Sequence, residues 1–104
     1  MENKDYRGIY RIYYITLANK EKSLYIAEIK SNKYGCGYGS SMLDEILERA
    51  EKEHISVCLH ANCGIYEDIG LNQHHLEEWY FRRGFNLCNY LDPSHGYNFF
   101  YKDI

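Results

Sequence analysis

The segment Lys33-Tyr34-Gly35-Cys36-Gly37-Tyr38-Gly39-Ser40-Ser41 holds three glycines in five residues. A strand pattern, Leu24 to Ser31, runs into it, and a helical pattern, Ser40 to Glu53, runs out of it. Glycine leaves the backbone bare, and the first N–H groups of a helix have no acceptor within the helix. Those donors and the positive end of the helix dipole both favour negative charge. The chemistry on offer is the grip of a phosphate or pyrophosphate, which points to a nucleotide-bearing cofactor. Two other nucleotide signatures fail. A Walker loop needs Gly-Lys-Ser/Thr, which is absent. A dinucleotide fingerprint needs an acidic residue about 20 positions on, where Ser56 to Asn62 offer none.

The cysteines offer less. Cys36, Cys58, Cys63 and Cys88 are scattered, and no secretory signal opens the sequence, so reduced thiols and a cytoplasmic location are expected. Cys58-x-His60-x-x-Cys63 has a trace of metal spacing, but no second ligand pair accompanies it. No metal site is expected.

A chain of 104 residues implies one domain with one core. Its 45% apolar and 26% charged content reads as globular and not disordered. The net charge of -3 and the lack of a basic tract argue against direct nucleic-acid binding. No apolar run approaches the roughly 20 residues of a membrane span. Twelve tyrosines suit half-buried positions, with hydroxyls at the rim.

The elements that must carry the turn follow from periodicity. Residues 1 to 5 are polar and expected to fray. Tyr6 to Leu17, rich in Tyr and Ile, reads as a strand, and Ala18 to Ser23 as a turn. Leu24 to Ser31 is then the second arm of a hairpin. Regular alternation along it puts Leu24, Ile26 and Glu28 on one face and Tyr25, Ala27 and Ile29 on the other. Met42, Leu43, Ile46, Leu47 and Ala50 form a helical stripe. Ile55 to Ala61 reads as a buried strand, which completes a parallel βαβ unit. After a loop, a helix from Asn72 to Arg83 puts Leu76, Trp79 and Tyr80 on a shared face, and Gly84 stops it. Phe85 to Tyr90 and Tyr97 to Lys102 read as a final hairpin. The fold class is α+β, with a mixed sheet of about five to six strands around a central βαβ unit, as the alternating pattern of elements requires.

From about residue 24 to 104, this arrangement resembles the GNAT family of N-acetyltransferases. Tyr34-Gly35-Cys36-Gly37-Tyr38-Gly39 occupies the place of the family's Arg/Gln-x-x-Gly-x-Gly/Ala cofactor motif. It keeps both motif glycines and has Tyr34 where the basic residue stands. Trp79-Tyr80-Phe81-Arg82-Arg83-Gly84-Phe85 is similar to the family's aromatic-Tyr-x-x-x-Gly-Phe signature, and Asn72 stands where an upstream asparagine is usual.

The resemblance implies a three-layer fold, here N-terminally truncated, and acetyl transfer from acetyl-CoA to an amine. It places the pantetheine arm along Ile29, Lys30 and Ser31. It places the pyrophosphate on Tyr34, Gly35, Cys36, Gly37, Tyr38, Gly39 and Ser40, with Asn72 nearby. It makes Tyr80 the acid for the leaving thiolate, since a phenol with a pKa of about 10 is protonated at neutral pH. Glu28 is the candidate base, with His60 as another through a water. The short N-terminal part implies an open acceptor side, which suits a lysine on a protein. Small phage and mobile-element acetyltransferases share that layout, including inhibitors of host defence. A non-catalytic binding module of the same fold and a small-molecule amine acetyltransferase are the alternatives. The oligomeric state, monomer or homodimer, is open.

Overall fold

The sheet begins at the N-terminus itself. The computed structural model describes residues 1–61 and 73–104, and in it β1 (Glu2–Asp5) turns through Tyr6 and Arg7 onto β2 (Gly8–Thr16). The expectation that residues 1 to 5 fray is corrected. The Met1 ammonium donates to the Ile12 carbonyl at 2.7 Å, and Asp5 accepts from the Arg7 backbone N–H at 2.9 Å. Arg7 also forks onto the Asp5 carboxylate and reaches Ser41 and Glu45. Specific hydrogen bonds, not hydrophobic alternation, hold this edge.

β3 (Lys22–Ser31) pairs antiparallel with β2, and α1 (Tyr38–Glu53) then crosses to β4 (Ser56–His60), which lies parallel to β3. This is the expected βαβ unit. Beyond residue 72, α2 (Gln73–Arg82) leads to β5 (Asn86–Leu87), a short 3₁₀ turn (Asn89–Leu91) and β6 (Phe99–Lys102). The six-stranded mixed sheet has the order β1-β2-β3-β4-β6-β5. The final hairpin is shorter than its sequence pattern. β5 keeps only two paired residues, because the chain turns at Asn89 to bury Leu91 under the sheet.

The apolar stripe of α1 packs as its spacing requires. Met42, Leu43, Ile46 and Ala50 are buried with Leu24, Ile26, Val57, Leu59 and Phe100 of the sheet and with Leu76 and Tyr80 of α2. Each large side chain fully buried there contributes about 1.5–3 kcal/mol. Both described helices share this one cluster and therefore one face. The opposite face carries a smaller cluster of Leu17, Cys58, Leu91 and Phe99. Among the described residues only the short 3₁₀ turn that supplies Leu91 and no α-helix covers it, so the third layer that the resemblance implies has no counterpart there.

One irregularity matters for function. Arg11 pairs with Glu28 but Ile12 pairs with Ile26, so Ala27 is an extra residue in β3, a β-bulge. The bulge resets the alternation. Ile29 joins Ile26 in the core while Glu28 turns to the other face. This corrects the regular alternation that grouped Glu28 with Leu24 and Ile26.

Candidate functional site

β3 and β4 touch over only three residue pairs, ending at Tyr25 opposite Cys58. Beyond that point they diverge. A pocket of about 250 Å³ fills the split, lined by both faces of β3 (Tyr25, Ile26, Ala27, Glu28, Ile29), by Leu59, His60 and Ala61, and by Leu76 and Tyr80 of α2. On the helical side lies a larger groove of about 580 Å³. Its walls are the glycine turn and the exposed side of α2. Ile29, Leu76 and Tyr80 line both cavities. Tyr80, 4% exposed, thus stands at the waist between the groove on the helical side and the pocket in the split.

The turn is built as its glycines require. Gly35 (φ 83°) and Gly37 (φ 76°) are left-handed, a conformation that costs a side-chain-bearing residue about 1 kcal/mol or more. Gly37 caps α1, which starts at Tyr38 and not at Ser40. The first intrahelical bond runs from Ser41 N–H to the Gly37 carbonyl at 3.0 Å, and no side chain caps the helix. The N–H groups of Tyr38, Gly39 and Ser40 are those a helix cannot satisfy from within. A Cβ on Gly35, Gly37 or Gly39 would meet no heavy atom within 4 Å, so open space lies beside the donors. Donor set and space together fit a diphosphate.

Of the residues singled out in the sequence, the groove brings together Ile29, Ser31, Tyr34, Gly35, Gly37, Tyr38, Gly39, Ser40 and Tyr80. It does not include Lys30 or Cys36, whose side chains are exposed elsewhere. Asn72 lies outside the described residues. Tyr34 sits at the rim, 62% exposed. Lys33 and Arg82 line the groove and bring positive charge, which sequence reasoning did not assign; Glu78 lines it too and meets Arg82 at 3.5 Å. Arg83 clamps the turn from α2. Its guanidinium donates to the Ser40 hydroxyl, meets Asp44 at 3.1 Å and lies 5.1 Å from the Trp79 ring centroid.

In the pocket, Glu28 accepts from Arg11 Nη1 at 3.0 Å, within a network that includes Glu2. It lines the split, but a guanidinium already partners it. His60 is held more tightly. Its Nδ1 lies 2.6 Å from the Tyr25 hydroxyl and its Nε2 lies 2.6 Å from Asp92 Oδ2. Asp92 is 1% exposed. Burial by itself would raise its pKa, but hydrogen bonds from Ser94 and His60 outweigh burial and hold it down at about 2. The Asp92 carboxylate is therefore an acceptor only, so His60 Nε2 carries the proton. Nδ1 and the Tyr25 hydroxyl share the second hydrogen bond of the ring. The Tyr25 phenol is pushed up to about 12, first by burial and then by the neighbouring Tyr13, Cys58 and Asp92. Gly96 lets its loop close on the carboxylate, since a Cβ there would lie 2.7 Å from Asp92 Oδ2. Asp92 was invisible as a site residue. It read as part of a hairpin loop, and only the crossing of β4 by the chain before β6 brings it under His60. Of the Cys58-His60-Cys63 spacing, Cys58 is buried, His60 is committed to Tyr25 and Asp92, and Cys63 lies outside the described residues. No group of three His, Cys, Asp or Glu side chains among the described residues is arranged to hold a metal ion.

Compared with known proteins, the chain matches no family model, no curated protein and no solved structure. No helix among the described residues is long and apolar enough to cross a membrane.

The depressed Asp92 pKa has a measurable consequence. A carboxyl held below its unfolded value stabilises the fold above about pH 4, and that contribution fades as pH falls toward 2. It amounts to about 2 kcal/mol. Asp5 is depressed in the same direction by its bonds from Arg7, so the Asp92 share is isolated by comparison with Asp92→Asn. In urea unfolding, that variant is less stable than wild type at pH 7, and the gap narrows as pH falls from 4 to 2. A gap of constant size across that range contradicts the assignment.

Proposed function

We propose that the chain is an acetyl-CoA-dependent N-acetyltransferase with a GNAT-type fold, acting on a primary amine, most favourably a lysine on a protein surface. The observation that carries this reading is the pairing of two cavities that meet at Tyr80, Ile29 and Leu76. One mouth has backbone donors and basic side chains suited to a diphosphate. The other opens on the face that no described α-helix covers, where Tyr13 is exposed beside Tyr25.

Acetyl-CoA, when bound, supplies an activated thioester. The chain's own residues do the rest. The N–H groups of Tyr38, Gly39 and Ser40 hold an anion, with Lys33 adding charge. Ile29 and Leu76 wall the waist and keep it apolar. Tyr80 keeps a proton on its phenol oxygen for a departing thiolate. The absence of a basic residue at Tyr34 is offset by Lys33 beside it, since Arg82 across the groove is paired with Glu78. The open far face favours a large acceptor, because a side chain can enter the split from a protein docked there.

Coenzyme binding is the direct test. Coenzyme A at about 100 times its dissociation constant stabilises a folded protein by about 2.7 kcal/mol, which raises Tm by at least about 10 °C in a chain of this size. Intact mass spectrometry of natively purified protein reads the same complex. No thermal shift at millimolar coenzyme A or acetyl-CoA would remove the proposal.

A further inference from the structure

We propose that Tyr25, His60 and Asp92 form a proton relay that takes the proton from the acceptor amine, a step that rests on the acetyl-transfer reading above. The amine arrives as an ammonium ion and cannot attack until it loses a proton. The carboxylate nearest the split by sequence, Glu28, is already partnered by Arg11. Tyr25 and His60 line the pocket together with Tyr80, and the buried Asp92 backs His60.

The array is continuous. The Tyr25 hydroxyl lies 2.6 Å from His60 Nδ1 and His60 Nε2 lies 2.6 Å from Asp92 Oδ2; the relay starts from a neutral imidazole, with Tyr25 donating to Nδ1 and Nε2–H to the carboxylate. Asp92 is fixed beneath by the Ser94 N–H (2.9 Å), the Ser94 hydroxyl (2.6 Å) and the Gly96 N–H (3.0 Å). Phe99 closes one side of the imidazole, its ring centroid 5.0 Å away. Tyr13 of β2 packs on the Tyr25 ring at 5.2 Å. The titratable groups facing the array are thus Tyr13 from β2, Cys58 from β4, Glu28 at the pocket wall and Tyr80 from α2. Among the described groups, only Asp92 is a carboxylate in contact with His60.

The step balances. A proton leaves the acceptor ammonium for the Tyr25 phenol oxygen as the Tyr25 proton moves to His60 Nδ1. The amine becomes neutral and keeps its lone pair for attack. His60 becomes an imidazolium, and the Asp92 carboxylate offsets its charge. The second amine proton, released as the amide forms, restores the Tyr80 phenol that protonated the thiolate, and the imidazolium loses the first to water, which reaches the ring because the side chain is 34% exposed. Tyr25 is never left as a phenolate.

The relay matters only for an acceptor that arrives charged. The test therefore compares two short peptides as probes. One presents a lysine ammonium. The other presents an acyl hydrazide, whose nitrogen is uncharged at neutral pH. Tyr25→Phe keeps the ring packing and lowers acetylation of the lysine peptide by about 10²-fold, while acetylation of the hydrazide peptide stays within about threefold of wild type. Asp92→Asn shows the same split if it folds; Tyr25→Phe carries the test if it does not. Thermal shift with coenzyme A is measured in parallel and is unchanged in both. Equal losses on the two peptides, or a wild type that binds coenzyme A and acetylates neither, overturn the relay alone. Failure of wild type to bind coenzyme A overturns the acetyl-transfer reading and the relay with it.

Discussion

On the proposed acetyl-transfer reading, Tyr80→Phe is expected to lower transfer about 10²-fold and to leave coenzyme A binding within about twofold. The ring is buried and meets Trp79, Phe85 and Phe100 at centroid distances of 4.9, 5.5 and 6.1 Å. Phenylalanine keeps that packing, so the fold loses only what the hydroxyl contributes, about 1 kcal/mol. The hydroxyl belongs to a residue that lines both the groove and the pocket. A proton donor at that waist acts when the thiolate departs, not when coenzyme binds. The loss therefore falls on kcat, with KM for acetyl-CoA little changed. Steady-state kinetics on a lysine peptide checks this. A change confined to KM, or a rate equal to wild type, would mean that Tyr80 is only a packing residue. Tyr25→Phe removes a phenol from the same pocket but spares the hydrazide acceptor, whereas Tyr80→Phe slows transfer to both, because the leaving thiolate is common to them.

How far the molecule could be read beforehand follows from where its information lies. The helical stripe of α1 and the buried run Ser56–His60 were legible because each repeats a local period against one apolar surface. The glycine turn was legible for a different reason: its backbone needs glycine at 35 and 37 whatever surrounds it. β1 was not legible. Glu2, Asn3, Lys4 and Asp5 carry no apolar alternation, and their pairing depends on β2 and on bonds from Arg7. The bulge at Ala27 was hidden as well. Leu24 to Ser31 reads as an unbroken strand, and only the register against β2 reveals the extra residue. That single residue decides which way Glu28 and Ile29 point, and so decides the chemistry of the split. The pairing of His60 with Asp92, 32 positions apart, is tertiary in origin and leaves no mark on spacing.

Gly8→Ala destabilises the fold by about 3 kcal/mol, a drop in Tm of about 15 °C for a chain of this size. Tyr6 and Arg7 make the β1–β2 turn without taking positive φ, so the reversal of handedness falls on Gly8 at φ 143°. A Cβ there would stand 2.0 Å from the Lys30 carbonyl oxygen and 3.0 Å from Ser31 Cα. The obstacle is backbone, which cannot swing aside as a side chain can. Gly8 pairs with Ser31, and the next link, from Asn32 N–H to the Arg7 carbonyl at 2.8 Å, fixes where β3 releases the chain into the glycine turn. Displacing β3 thus disturbs the groove as well as the sheet. Gly39→Ala is the contrasting variant. Its φ is ordinary and its Cβ would meet nothing within 4 Å, so alanine in the first turn of α1 unfolds no earlier than wild type. Its methyl group stands beside the helix N–H donors and weakens coenzyme A binding instead. Thermal unfolding with and without coenzyme A separates the two. If Gly8→Ala melts with wild type, the close approach of β2 to β3 is not the constraint it is taken to be. If Gly39→Ala binds coenzyme A as tightly as wild type, the diphosphate does not rest on this turn.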